Sequence, residues 1–212
     1  MDILLDQMEA RIMGCLIEKQ LATPDYYPLS LNALTNACNQ KSNRDPVVSY
    51  AEQAVYDAVD GLIQKGLAHE SNVARVPKYD ERLTPDRKLV AREASVLCVL
   101  LLRGPQTIGE LRGRTARLYN FESLDEVHET LASLEEWGYT QRLPRMPGQK
   151  EARYTHLLCG QPEISAEKTA PVPLPGAGPD TGRLEKIEQD IEALRNDLEE
   201  LKRAFKEFVN QF

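Results

Sequence analysis

The side chains with the clearest chemical potential in this sequence are cations. Arg112, Arg114 and Arg117 recur in one short run, and Arg142, Arg145, Lys150 and Arg153 follow in another. Guanidinium and ammonium groups clustered in this way hold phosphate oxygens through charge-assisted hydrogen bonds, and such contacts weaken as salt rises. A smaller polar group lies earlier, in Asn39-Gln40-Lys41-Ser42-Asn43-Arg44-Asp45, where Lys41, Asn43 and Arg44 combine two cations with an amide. Bond-making chemistry is not indicated. His69, His128 and His156 fall in no H-x-x-x-H or H-E-x-x-H spacing, and there is no G-x-S-x-G, Walker loop or dinucleotide fingerprint. The sequence therefore reads as a non-enzymatic binding protein, with no catalytic residue, cofactor or metal site expected.

The elements that must position these cations come from apolar periodicity and capping signals. Asp6 with Glu9 opens a helix whose apolar face, from Leu5 through Met8, Ile12, Cys15 and Leu16, runs to about Gln20. Leu21 to Pro28 connects it to a short helix behind Ser30, with Leu31, Leu34 and Cys38 at helical spacing. The seven-residue polar connector then leads to Pro46, which bars a helical conformation at Asp45. Ser49-Tyr50-Ala51-Glu52 reads as a capping box for a third helix, ended by Gly66 in a left-handed conformation. Leu67–Val73 and Arg75–Tyr79 then form a hairpin.

The same order begins again at about Leu89. A helix to Arg103 stops at Gly104-Pro105; Thr107-Ile108-Gly109-Glu110 and Ser123-Leu124-Asp125-Glu126 are further capping boxes; Gly138 ends the last helix; Tyr139–Leu143 and Arg153–Leu158 close as strands. Three helices and a hairpin, twice, is the winged-helix plan. The expected fold is mainly α, of α+β winged-helix type: two tandem winged helix-turn-helix modules at residues 1–80 and 81–160. A Pro/Gly-rich linker at 161–182 and a coiled-coil helix at 183–212 follow.

The polar run from Pro28 to Pro46, with Glu18-Lys19-Gln20 and Thr23-Pro24 ahead of it, resembles the YceH family of uncharacterised bacterial cytosolic proteins. The resemblance covers roughly residues 4 to 160 and implies tandem winged helices; it implies no activity, ligand or target for any numbered position. Asp45 stands where the family pattern has a glutamate, which keeps the charge.

Composition narrows the setting. The longest apolar run, Val96 to Leu102, is far short of the roughly 20 residues that span a bilayer, and the Met-Asp-Ile start has no basic region of a signal peptide. A cytoplasmic protein without membrane contact is expected. Cys15, Cys38, Cys98 and Cys159 are widely spaced, with no C-x-x-C pair, and read as buried thiols. In the tail, Leu184, Ile187, Ile191, Leu194, Leu198, Leu201, Phe205 and Phe208 follow a 3,4 alternation. The Arg183/Glu188, Asp190/Arg195 and Asp197/Lys202 pairs suit a parallel homodimer, the alternative being a helix folded back on its own modules.

A net charge of −7 conceals one positive segment: residues 81–160 hold 12 basic against 11 acidic side chains. The third helices, which would enter a major groove, are the wrong sign. The first offers Glu52, Asp57 and Asp60 against Gln53, Gln64 and Lys65, and so fails in part; the second offers Asp125, Glu126, Glu129, Glu135 and Glu136 with no Lys or Arg. Two readings follow. In one, DNA phosphates are gripped by Arg112, Arg114, Arg117, Arg145, Lys150 and Arg153, with Lys41, Asn43 and Arg44 adding a contact from the first module. In the other, both modules are protein-interaction or scaffold domains whose acidic helices meet a basic partner, the connector from Asn39 to Pro46 is a recognition loop or simply a capped turn, and Arg44 pairs with Asp45 or a nearby acid.

Overall fold

Asp6 starts the first helix as its sequence requires. Its carboxylate accepts from the amides of Met8 and Glu9, both at 2.8 Å, and Glu9 returns the favour to the Asp6 amide. This helix, α1 (Gln7–Ala22), leads through a 3-10 turn (Pro24–Tyr26) to β1 (Leu29–Ser30) and α2 (Leu31–Cys38), capped by the Ser30 hydroxyl. After the connector come α3 (Glu52–Gln64), β2 (Ala68–Ser71) and β3 (Lys78–Glu81), the strands forming an antiparallel sheet in the order β1-β3-β2. A single turn, α4 (Leu83–Asp86), links to the second half: α5 (Ala91–Arg103), α6 (Ile108–Thr115), α7 (Leu124–Glu136), β4 (Thr140–Arg142) and β5 (Tyr154–His156). This computed structural model describes residues 3–72, 75–145, 148 and 151–161. Lys150, the coiled-coil helix at 183–212 and all but the first residue of the linker lie outside the described residues.

The molecule is thus mainly helical with two small antiparallel sheets, an α+β fold. The halves share one order of elements. Where the first half has β1, the second has a bridge between Gln106 and Tyr154, each amide donating to the other's carbonyl at 2.9 and 2.7 Å. Gly66, Gly104 and Gly138 end α3, α5 and α7 with φ between 67° and 75°, the left-handed region that glycine enters without a Cβ clash.

Three local expectations change. The third helix has no Ser49 cap: Ala51 occupies the N-cap without a side-chain hydrogen bond. Asn39 instead fixes this backbone from across the connector, donating to the Tyr50 carbonyl at 2.9 Å and accepting from its amide at 2.7 Å. At α7, Ser123 caps the Glu126 amide, but the Glu126 carboxylate turns to Tyr119 Oη and the Glu122 amide, so the box is only half formed. The hairpin's second strand starts at Lys78 rather than Arg75. Tyr79 and Glu81 face inward there, and the buried Glu81 carboxylate is satisfied by Thr84.

Residues Met1–Glu163 form one compact unit. Its centre is the packing of α1 along α5. Both helices are buried almost all round, Glu9 to Ile17 in the first and Glu93 to Leu102 in the second, where sequence periodicity suggests only one apolar face for α1. A glycine explains the close approach: Gly14 leaves room on α1 against Leu101 and Leu102, and Cys98 of α5 donates to the Gly14 carbonyl at 3.3 Å. The apolar residues of both halves therefore merge into one cluster.

β5 carries a histidine, His156, that burial perturbs strongly. His156 is held down at about 4 by desolvation, and its Nδ1 is buried with no hydrogen-bond partner among the described residues. A folded-state value below the unfolded value of about 6.5 stabilises the fold above that pH, and the contribution fades as pH falls toward 4. Between pH 7.5 and 5 the expected loss is about 2 kcal/mol. Urea titrations at the two pH values check this, with His156→Leu expected to reduce the difference by that amount.

Candidate functional site

The polar connector is held from inside. Asn43 adopts φ 59°, a left-handed conformation tolerated by asparagine, and this turn sends the next side chain inward while Lys41, Ser42 and Asn43 stay exposed. Arg44 has no exposed side-chain surface. Its guanidinium donates to the Ala37 carbonyl from Nε and Nη2 at 3.1 and 2.9 Å, and to the Glu18 carboxylate from Nη1 and Nη2 at 3.1 and 2.7 Å. Gln40 Oε1, the Asn43 carbonyl and Cys15 Sγ complete its surroundings. Burial alone would weaken the Arg44 charge, but the Glu18 carboxylate outweighs it and raises the guanidinium above its ordinary value. Burial likewise disfavours the Glu18 charge, and Arg44 reverses that, lowering the carboxyl.

Further stitches set where the exposed part of the connector lies. The Asp45 amide donates to Leu102 at 2.9 Å, Arg11 Nη2 donates to the Pro46 carbonyl at 2.5 Å, and Arg103 Nη2 donates to Asn43 Oδ1. The connector is thereby tied to the C-terminal end of α5, next to α6. Between them opens a cleft of about 1140 Å³.

Five cations line it: Lys19 from α1, Lys41 from the connector, Arg103 from α5, Arg114 from α6 and Arg117 just beyond. Among the described residues Glu18 is the one carboxylate in the lining, and it is already bound to Arg44 at 2.7 Å and to Lys19 at 3.5 Å. Arg114 reaches Glu110 only at 3.5 Å, and Lys41 and Arg117 have no ion-pair partner among the described residues. Crowding of like charge is visible at Arg103, lowered first by burial and then by Arg114 and Arg44. Such a cleft attracts anions and offers them amide and hydroxyl donors from Gln40, Ser42 and Asn43.

Of the residues singled out by sequence, Lys41, Asn43, Arg114 and Arg117 come together here. Arg44 does not: it is turned into the protein as the clamp of the connector and is not available to an outside phosphate. Arg112 braces the α6–α7 loop, donating to the carbonyls of Phe121 and Glu122, and Arg153 holds Glu110 at 2.9 Å and the Pro105 carbonyl at 2.8 Å. Arg145 is exposed and is not among the residues that line the cleft. Lys19 and Arg103 were not anticipated. Each is the basic residue in the last turn of the first helix of its half, complementing the negative helix end, and equivalent repeat positions were the signal that could have paired them.

Among the described residues no three His, Cys, Asp or Glu side chains gather as metal ligands would, and no helix is long and apolar enough to cross a membrane. Cys15, Cys38 and Cys98 are buried free thiols, with Cys159 half-buried.

Residues 5–149 match the family described as "Protein of unknown function, DUF480". The chain belongs to the DUF480 family. Curated relatives agree over most of their length. The UPF0502 protein of Solibacter usitatus is 48% identical across 213 residues, covering 100% of each chain. That of Koribacter versatilis is 49% identical over 92% of each, and that of Geobacter sulfurreducens 51% identical over 81% of this chain and 80% of its own. The resemblance read from the Pro28–Pro46 run is thus upheld, and the connector that forms one wall of the cleft lies inside the DUF480 match, as do all five cations.

Proposed function

We propose that this DUF480 chain is a nucleic-acid-associated protein, built as two winged helices in tandem, that holds phosphates in the cationic cleft between its halves. The repeated order of helix, strand or bridge, two helices and an antiparallel strand pair supports the winged-helix reading. The observation that carries the function is the convergence of Lys19, Lys41, Arg103, Arg114 and Arg117 around a cleft whose single carboxylate, among the described residues, is already neutralised by Arg44. Contact does not run through α3 or α7, because Glu52, Asp57, Asp125, Glu129 and Glu136 are exposed on them and would face phosphates of the same sign. Nor does it need the wing cations, since Arg153 is already paired with Glu110.

Affinity for random-sequence nucleic acid should fall steeply between low and physiological salt, as released counterions require. The Arg114→Glu/Arg117→Glu double variant should lose at least about tenfold in affinity at low salt, roughly 1.4 kcal/mol, with its thermal midpoint preserved. Fluorescence anisotropy checks both. Wild-type affinity in the double variant would overturn the assignment of the cleft, and no binding of any nucleic acid at low salt would overturn the nucleic-acid reading and favour a protein partner.

A further inference from the structure

We infer that the cleft takes the sugar-phosphate backbone of a single unpaired strand, without reading its bases. This rests on the nucleic-acid reading above and names the form of nucleic acid that fits.

The first ground is shape. A duplex is engaged by elements that enter its grooves, the major groove admitting a helix. Here the helices with that place in the chain order, α3 and α7, present acids to solvent, whereas the cations line the walls of a concavity. A rigid double helix can rest only against the rim of such a cleft. One flexible strand can enter it and bring successive phosphates to Lys19 and Lys41 from the first half and to Arg103, Arg114 and Arg117 from the second. About 1140 Å³ exceeds the space of an ordinary small-ligand pocket, which suits a short run of backbone.

The second ground is what the lining lacks and what it leaves bare. None of the described residues that line it is aromatic, so they offer no stacking platform to hold or distinguish bases. Gly113 lies in the lining between Arg112 and Arg114, and a Cβ added there would meet nothing within 4 Å. The backbone of α6 is therefore bare toward the cleft, and a phosphate chain can lie close against it. Gly113 is helical in a helix that does not need it, since glycine lowers helix stability by about 1 kcal/mol relative to alanine.

That glycine supplies a test without any change of charge. Full-length protein is titrated into fluorescent oligothymidine and oligoadenosine of about 16 nucleotides, and into a duplex of the same length, for wild type and Gly113→Leu. The unpaired strands should bind about tenfold more tightly than the duplex and within about threefold of each other. Their salt slope should be near −0.7 per phosphate engaged, so about −3.5 if all five cations take part. Gly113→Leu should weaken strand binding about tenfold while its thermal midpoint stays at or above that of wild type. Duplex binding as tight as strand binding, a tenfold preference between the two homopolymers, or unchanged strand binding by Gly113→Leu would each overturn the inference while leaving nucleic-acid association standing. Failure of every probe to bind at low salt would instead overturn the reading beneath it.

Discussion

Arg44→Ala is expected to lower the stability of the folded chain by about 3–5 kcal/mol, the range for breaking a buried ion pair by removing one partner. The Arg44 side chain has no exposure and Glu18 only 13%, so truncation leaves this largely buried carboxylate with Lys19, at 3.5 Å, as its one remaining ion-pair partner among the described residues. It also strips the Ala37 carbonyl, at the end of α2, and the Asn43 carbonyl of their guanidinium donors. Glu18→Gln should cost a comparable amount, because it leaves the buried cation without its counter-charge. Arg44→Lys should recover only part of the loss, since one ammonium cannot span both Glu18 oxygens and the Ala37 carbonyl. Urea denaturation gives the measurement; a loss below about 1 kcal/mol for Arg44→Ala would show that the clamp is not structural.

The second large effect belongs to the crossing of α1 and α5. A Cβ at Gly14 would lie 2.8 Å from Leu102 Cδ2 and 3.1 Å from Leu101 Cβ, closer than packed carbons tolerate. Leu102 is itself buried, and Leu101 Cβ, directly attached to the α5 backbone, has no rotamer by which to move away. Gly14→Val adds two further methyl groups at this contact and is expected to destabilise by about 3 kcal/mol, lowering the thermal midpoint by about 10 °C. Alanine is the milder case, where a helix-propensity gain of about 1 kcal/mol offsets part of the clash. Because the two halves share this core, circular dichroism should show one cooperative transition moved as a whole. A first transition shifted alone, with the second at its wild-type temperature, would mean that the halves unfold independently.

Much of the fold was legible because its signals are local. The Asp6/Glu9 and Thr107/Glu110 boxes form as their residue types require, and Gly66, Gly104 and Gly138 stop helices where a left-handed φ is needed. The Ser49 cap does not form, and the backbone beside it is held instead from outside that range, by Asn39, eleven residues from Tyr50 in sequence. The site was half legible. Lys41, Asn43, Arg114 and Arg117 could be singled out as exposed polar residues near helix ends, but Arg44 is of the same type and neighbourhood, and nothing local marks it as the one that points inward.

Residue chemistry and spacing alone determined the repeated plan of helices and hairpins, the family resemblance, the buried thiols and the presence of cations suited to phosphate. Tertiary structure decided which of those cations share a surface. Lys19, Lys41, Arg103 and Arg117 come from segments spread over nearly half the chain, and they converge only because Gly14 lets α1 lie against α5 and Arg44 draws the connector down between them. Capping and backbone preferences act within a few residues. The gathering of charges around a cleft depends on how distant helices pack, which no short window of sequence contains.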